Sequence, residues 1–160
     1  MLMQTSGPAE RTFRELIRLF GLVERVMQPY FARFGISGAQ WGALRNLQRA
    51  KKEGLGGLRL SELGDRMLIR PPSVTGIVDR LERAGLVVRG GAPEDLRAKR
   101  VRLTEKGRKV VGEVLAVHGK QLERVLGCFK PAEQERLHHL LVRMGLHLES
   151  LLAGREAGGL

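Results

Sequence analysis

Residues Leu86–Glu105 read LVVRGGAPEDLRAKRVRLTE and carry the clearest structural signal in this chain. Two short β-prone runs, Leu86–Arg89 and Arg100–Leu103, flank a tip that contains Gly-Gly and Pro-Glu-Asp. Glycine and proline between two such runs are typical of a β-hairpin, because they supply the backbone geometry of a tight turn. The stretch therefore predicts a hairpin, and its second half is strongly basic.

The segment before this hairpin, Leu60–Gly85, predicts two short helices joined by a tight turn. Ser61 is the predicted N-cap of the first helix. Its predicted inward-facing residues are Leu63, Met67 and Leu68. Pro71 and Pro72 end this helix and begin the next, since proline is tolerated in the first helical turn. The second helix is predicted to end at Gly85 and to bury Val74, Ile77, Val78 and Leu81.

Further helices are predicted on both sides of this segment. From Arg11 to Gly35, apolar residues recur at helical spacing in two stripes, and Pro29 is expected to kink this helix. A second helix, with a capping box at Ser37–Gln40, is expected to bury Trp41, Leu44 and Leu47. After the hairpin, Thr104 is predicted to cap a long helix, and Pro131 to begin a last one.

The predicted connections are short. They are a glycine-rich loop at Lys51–Gly57, a short strand at Leu58–Leu60, and frayed or disordered ends at 1–9 and 153–160. The fold class is therefore mainly α: a winged helix-turn-helix of about six helices with a small β-hairpin wing. Residues 1–160 form one domain, in which 36–108 make the winged lobe. Residues 10–35 and 109–152 are predicted dimerisation helices, because a small monomer needs only one buried stripe on its first helix.

Composition favours an anionic partner. The 160 residues carry a formal net charge of +11, and residues 51–110 hold 15 Lys and Arg against 8 Asp and Glu. Such an excess favours nucleic acid first and acidic membrane surfaces second. The single cysteine, Cys128, excludes an intrachain disulfide and suits a reducing cytoplasm. No apolar run is long enough to span a membrane, so no membrane partner is expected.

The second helix of the pair is the one predicted to enter the major groove of double-stranded DNA. That groove admits one α-helix, whose N-terminal half usually meets the base edges. The predicted contacts are the phosphate-binding Arg70, the hydrogen-bonding Ser73 and Thr75, the close-approach position Gly76, and Arg80. Asp79 lies on the same exposed face in this prediction.

The hairpin is predicted to act as the wing. Arg97, near its tip, suits the narrow minor groove, whose negative potential attracts arginine. Lys99 and Arg100, with Arg102, are predicted to position the protein on phosphates. Asp95 is predicted to hold the wing by pairing with a basic neighbour.

An ordered set of motifs extends this interpretation. It consists of Leu60-Ser-Glu-Leu63, Val74-Thr75, Val78-Asp-Arg-Leu-Glu82, Gly85-Leu-Val87, Asp95-Leu-Arg97 and Leu103-Thr-Glu-Lys-Gly107. In order and spacing this set resembles the MarR family of winged helix-turn-helix transcription regulators over roughly residues 36–108. The resemblance implies a homodimer on a pseudo-palindromic operator, regulated by a ligand, metal or oxidant. The Lys51–Gly57 loop is longer than is usual in that family, and Gly64 stands where alanine is common.

The resemblance also implies a pocket for a small aromatic effector, which Tyr30, Phe34 and Trp41 would line, although the same residues would serve as plain core. Cys128 is predicted to be a buried structural thiol. The four histidines, among them His139 and His147 two helical turns apart, form no convincing metal site. No phosphate-binding loop, nucleophile elbow or carboxylate pair is present, so we expect no catalytic residues, no cofactor and no enzyme activity.

The sequence therefore predicts a dimeric DNA-binding transcription regulator, more plausibly a repressor than an activator. Two alternatives stay open at this point. One is a winged-helix module that binds protein or RNA without an operator. The other is a ligand- or metal-binding scaffold that has lost its contact with DNA.

Overall fold

The structure is a computed structural model that describes the backbone of residues 7–92 and 95–157, and the side chains of residues 7–91 and 99–154. In chain order its elements are α1 Pro8–Ala32, α2 Gly38–Lys52, α3 Leu60–Met67, α4 Pro71–Arg83, β1 Val87–Ala92, β2 Asp95–Leu103, α5 Glu105–Leu126 and α6 Pro131–Ala157. Six helices with one two-stranded antiparallel hairpin confirm the predicted mainly α, winged helix-turn-helix class. The chain divides into two compact units, one ending at Gly119 and the other beginning at Lys120.

The core of the first unit lies among α2, α3 and α4. Leu44, Leu63 and Leu81 are completely buried there, because each of the three helices turns its apolar stripe toward the other two. The capping box at the start of α2 is confirmed: Ser37 Oγ accepts the Gln40 backbone N–H, and Gln40 Oε1 accepts the Ser37 N–H. Burial of an apolar side chain of this size stabilises the fold by about 1.5–3 kcal/mol.

Two predictions about α3 and the residue that follows it are wrong. Ser61 is not the N-cap, because α3 begins at Leu60 and Arg59 precedes it; the Glu62 carboxylate accepts the Arg59 backbone N–H at 2.7 Å. Leu68 does not face inward but is 90% exposed. It follows the last residue of α3 and adopts a left-handed conformation (φ 54°), which reverses the chain toward α4 and turns the side chain outward.

The hairpin follows α4 after a left-handed Gly85 (φ 71°), as predicted. Its strands pair from Val87 with Leu103 to Gly91 with Lys99, and the register becomes irregular next to Ala92. The predicted strand before α3 is reduced to a bridge at Leu58, which exchanges backbone hydrogen bonds of 3.1 and 2.7 Å with Val101. The loop that leads to α3 is thereby fastened to the base of the hairpin.

Three further predictions are corrected: the start of α1, the structure of residues 153–157, and the burial of Cys128. Helix α1 begins at Pro8, earlier than expected, and Pro29 lies inside it; the kink at Pro29 stays a prediction. Residues 153–157 are helical rather than disordered, whereas residues 1–6 and 158–160 of the predicted frayed or disordered ends lie outside the described residues. Cys128 is exposed, not buried, because it lies in the turn between α5 and α6.

Two helices expose many apolar side chains. In α1 only Met27, Tyr30 and Phe31 are buried, whereas Phe13, Ile17 and Phe20 are 59–75% exposed. Within Pro131–Gly154 no residue of α6 is buried in its own unit. These helices are nevertheless not membrane spans: none in the described part of the chain combines the required length and apolarity.

Candidate nucleic-acid interface

Helix α4 separates its residues cleanly into an anchored side and a free side. The predicted inward residues Val74, Ile77, Val78 and Leu81 are all buried. On the outer side Ser73, Thr75 and Arg80 are exposed, as predicted from the helical period. The helix is therefore held by one face and offers polar side chains on the other.

The N-terminal end of α4 is open to a partner. Arg70 occupies the N-cap position with extended backbone, and its carbonyl oxygen accepts the N–H groups of Ser73 and Val74. The Arg70 side chain is exposed. The Thr75 hydroxyl donates to the Pro71 carbonyl oxygen at 3.2 Å, so Thr75 is left as an acceptor for an outside donor. The positive end of the helix dipole adds to the attraction for phosphate here.

Gly76 lies in the middle of α4, where glycine costs up to about 1 kcal/mol relative to alanine. A Cβ atom built on Gly76 would meet nothing closer than Arg80 Nη2, at 4.0 Å. Packing within the described chain therefore gives no reason for a glycine at this position. The lack of a side chain leaves the α4 backbone accessible beside Arg80.

The hairpin is braced against α4 by Arg89, which the sequence-based prediction missed. Its guanidinium forms ion pairs with Asp79 and Glu82, and its backbone N–H donates to Glu82 at 3.1 Å. Hydrogen bonding to Asp79 is the main reason that the pKa of Arg89 is raised. Asp79 thus fixes the wing to the helix instead of lying free on the groove-facing side. The sequence contains a signal for this brace, because Arg89 comes shortly after two acidic residues of the preceding helix, Asp79 and Glu82.

The second hairpin strand is braced against α3. Arg100 donates to the Gly57 carbonyl oxygen at 3.0 Å and lies 3.5 Å from the Glu62 carboxylate. Arg100 is predicted to contact phosphate, but its guanidinium is already engaged inside the lobe. Lys99 is exposed and is the freer cation. The predicted wing residues Asp95 and Arg97 have side chains outside the described residues.

The three predicted effector-pocket residues do come together. Tyr30 packs edge-on against Phe34 with ring centroids 5.5 Å apart, and Phe31 links it to Trp41. His118 completes this aromatic cluster: its Nδ1 lies 3.2 Å from the Tyr30 hydroxyl, which also donates to the Val114 carbonyl oxygen. The sequence did not point to His118, which lies 88 positions away from Tyr30 along the chain.

The aromatic cluster should make stability depend on pH. Burial, with a smaller contribution from Arg45, lowers the pKa of His118 below its ordinary 6.5. The folded protein disfavours the charged ring. The contribution of His118 to the free energy of unfolding is therefore fully present above the pKa that His118 has in the unfolded state, and it is lost as the pH falls through that value toward the pKa of the folded state. We expect the free energy of unfolding to decrease from about pH 7 to pH 5. In urea titrations His118→Gln should flatten this dependence, whereas His138→Gln, on exposed α6, should not; equal slopes in all three proteins would contradict the assignment.

Metal-binding chemistry finds no support among the described residues: no group of three or more His, Cys, Asp and Glu side chains could hold an ion. His139 and His147 are exposed on α6.

A helix-turn-helix followed by a braced basic hairpin defines a winged helix-turn-helix protein. The sequence model of the MarR family matches residues 34–98. An uncharacterised transcriptional regulator of Bacillus subtilis, YkoM, is 34% identical over 94 residues, covering 59% of this chain and 61% of YkoM. The transcriptional repressor MdtR of the same species is 28% identical over 132 residues, 82% of each chain.

A solved structure shows the same fold over most of the chain. BpsR of Bordetella bronchiseptica superposes with a TM-score of 0.74 at 24% identity, covering 84% of this chain and 98% of BpsR. The chain is similar to MarR-family transcription regulators, in sequence over residues 34–98 and in fold over most of its length.

Proposed function

We propose that this protein is a homodimeric, sequence-specific repressor that binds a pseudo-palindromic operator in double-stranded DNA. The observation that carries the proposal is the free side of α4. It presents Ser73, Thr75 and Arg80 around Gly76, whose missing side chain has no explanation inside the lobe. A glycine beside a polar, cationic surface suits close contact with a groove.

The braced hairpin supports the same proposal. Arg89 and Arg100 join the hairpin to α4 and α3, so a cationic wing keeps a fixed distance from the helix beside it. A fixed distance is needed if the helix is to read one groove while Arg97 enters the next. The similarity to MdtR, which is a transcriptional repressor, supports repression rather than activation.

The terminal helices support the proposed dimer. α1 exposes Phe13, Ile17 and Phe20, and α6 exposes Leu140, Leu146 and Leu152, among others. Apolar surface of this extent in a cytoplasmic regulator calls for a partner, and a second copy would also supply the second half-site contact.

We also propose that a small aromatic effector changes the affinity for DNA. DNA binding by BpsR is regulated by 6-hydroxynicotinic acid, an aromatic acid. In this chain Tyr30, Phe34 and Trp41 meet in one cluster that could contribute aromatic contacts to such a molecule. We propose no catalytic role for the described residues.

The function is tested by gel shift against DNA from the protein's own upstream region. Arg80→Ala should weaken operator binding about 5–100-fold, the loss of one base or phosphate contact. Arg25→Ala, which removes the same charge from the polar side of α1, should change it less than about twofold. Gly76→Ala should stabilise the fold by up to about 1 kcal/mol and still weaken binding. Failure of the wild type to retain any band at low salt would favour the protein- or RNA-binding alternative.

A further inference from the structure

A cleft of about 460 Å³ lies in the winged lobe, away from the outer side of α4. It is bounded by the end of α2, the loop Glu53–Gly57 and the base of the hairpin. Its size falls in the range of small-molecule sites in proteins.

The cleft has an apolar floor and an apolar rim. Leu47, Val101 and Leu103 are buried at its floor, with 9% exposure or less. Leu55 on the loop and Val88 on the hairpin also line the cleft, and they are 41% and 42% exposed. Two exposed aliphatic side chains on different elements of one cleft offer an apolar body two surfaces to cover.

The charged residues that line this cleft are cations. Lys51, Arg102 and Arg108 line the cleft, and no carboxylate residue is among those of its lining residues that the structure describes. Arg108 is engaged by Glu105 and by the Leu103 carbonyl oxygen, which leaves Lys51 and Arg102 as the exposed cations. Lys51 also helps to lower the pKa of Glu105, after the larger effect of Arg108, so Lys51 and Arg108 both lie near that carboxylate. The cleft still carries an excess of positive charge.

The backbone of the loop is fixed close to the hairpin. Gly57 has φ 134°, and a Cβ atom there would lie 2.6 Å from Arg102 Cγ and 2.8 Å from the Val101 carbonyl oxygen. The next residue, Leu58, is bonded to Val101. The loop and the strand β2 therefore share one wall, and an occupant that displaces the loop also acts on the hairpin.

We propose that this cleft binds a small amphipathic anion, an apolar ring system with one carboxylate, and that its occupation changes the placement of the wing. The ring system would lie between Leu55 and Val88, with its carboxylate toward Lys51 and Arg102. The site is separate from the aromatic cluster of Tyr30 and Trp41. Only the regulatory part of this proposal rests on the proposed DNA-binding function.

The test measures binding of 2-naphthoate to the full-length protein by titration calorimetry, without DNA. The neutral isostere 2-naphthamide serves as the matched ligand. We expect naphthoate to bind at least tenfold more tightly than naphthamide. Lys51→Glu and Leu55→Asp should each reduce naphthoate affinity at least tenfold, whereas Lys52→Glu, one residue away and outside the cleft, should change it less than twofold. Thermal melts establish that each variant is folded.

Several results would overturn the site. They are absence of naphthoate binding at millimolar concentration, equal affinity for the two ligands, or an equal loss in Lys51→Glu and Lys52→Glu. A loss caused by Trp41→Ala but not by Lys51→Glu would move the ligand to the aromatic cluster. If Lys51→Glu weakens operator binding and leaves naphthoate binding intact, the cations belong to the DNA surface instead.

The regulatory part has its own readout. Saturating naphthoate should change operator affinity at least threefold in the wild type and leave Lys51→Glu unaffected. Binding of naphthoate without any change in operator affinity would overturn the regulatory part and leave the site standing. A protein that binds no operator at all would contradict the proposed function, while the calorimetry would still decide the site.

Discussion

Gly107→Ala should destabilise the protein by about 3 kcal/mol, the upper part of the range for overpacking a close contact. A Cβ atom on Gly107 would lie 2.0 Å from the Leu86 carbonyl oxygen, which must move away. That carbonyl accepts the Thr104 N–H at 3.1 Å, and the Thr104 hydroxyl donates to Gly85 at 2.7 Å. Separating α5 from this junction therefore strains both bonds at once, and the melting temperature should fall by about 6–12 °C.

Gly112→Ala provides the control for this experiment, because it lies in the same helix and a Cβ atom there meets nothing within 4 Å. We expect it to leave stability unchanged or to raise it by up to about 1 kcal/mol. Equal melting temperatures for Gly107→Ala and the wild type would show that the close approach of α5 to Leu86 is not as described.

The double substitution Ile17→Glu with Phe20→Glu should convert the proposed dimer to monomers. These side chains are 59% and 75% exposed in the single chain, so their apolar surface becomes buried only against a partner. Loss of about 1.5–3 kcal/mol for each of four side chains in a dimer should raise the dissociation constant at least about a thousandfold. Sedimentation should then show a 17.8 kDa species at micromolar concentration.

The matched control is Arg25→Glu, on the polar side of α1, which changes the formal charge by the same amount. It should leave the dimer intact, so a general charge effect can be separated from a loss of apolar contact. A wild-type protein that already sediments at 17.8 kDa would contradict the dimer outright. The double variant should also lose most of its operator affinity, since each protomer would hold only one half-site.

The local signals in the sequence were reliable where they depended on short-range chemistry. The Ser37–Gln40 capping box, Thr104 as the cap of α5, and Gly85 at the end of α4 are all present. The inward side of α4 followed from its period. Ser61 failed as a cap because the Glu62 side chain reaches back to Arg59, so a better local hydrogen bond starts α3 earlier.

Errors arose where exposure depends on chain geometry rather than on residue type. The apolar side chain of Leu68 predicts burial, but its left-handed backbone turns it outward. The thiol of Cys128 predicts burial in the same way, but the residue lies in a turn. Hydrophobicity predicts burial only when the backbone points a side chain toward its neighbours.

Helix period, capping residues and turn residues act over a few positions along the chain. The amino-acid sequence was therefore enough to specify the six helices, the hairpin and the side of α4 that faces outward. Pairings such as Arg89 with Asp79, Arg100 with Gly57, and His118 with Tyr30 join positions 10 to 88 residues apart. Many partners of suitable charge compete for each of these groups in the sequence. Only the packing of the helices selects one, and the same packing creates the cleft between the loop and the wing.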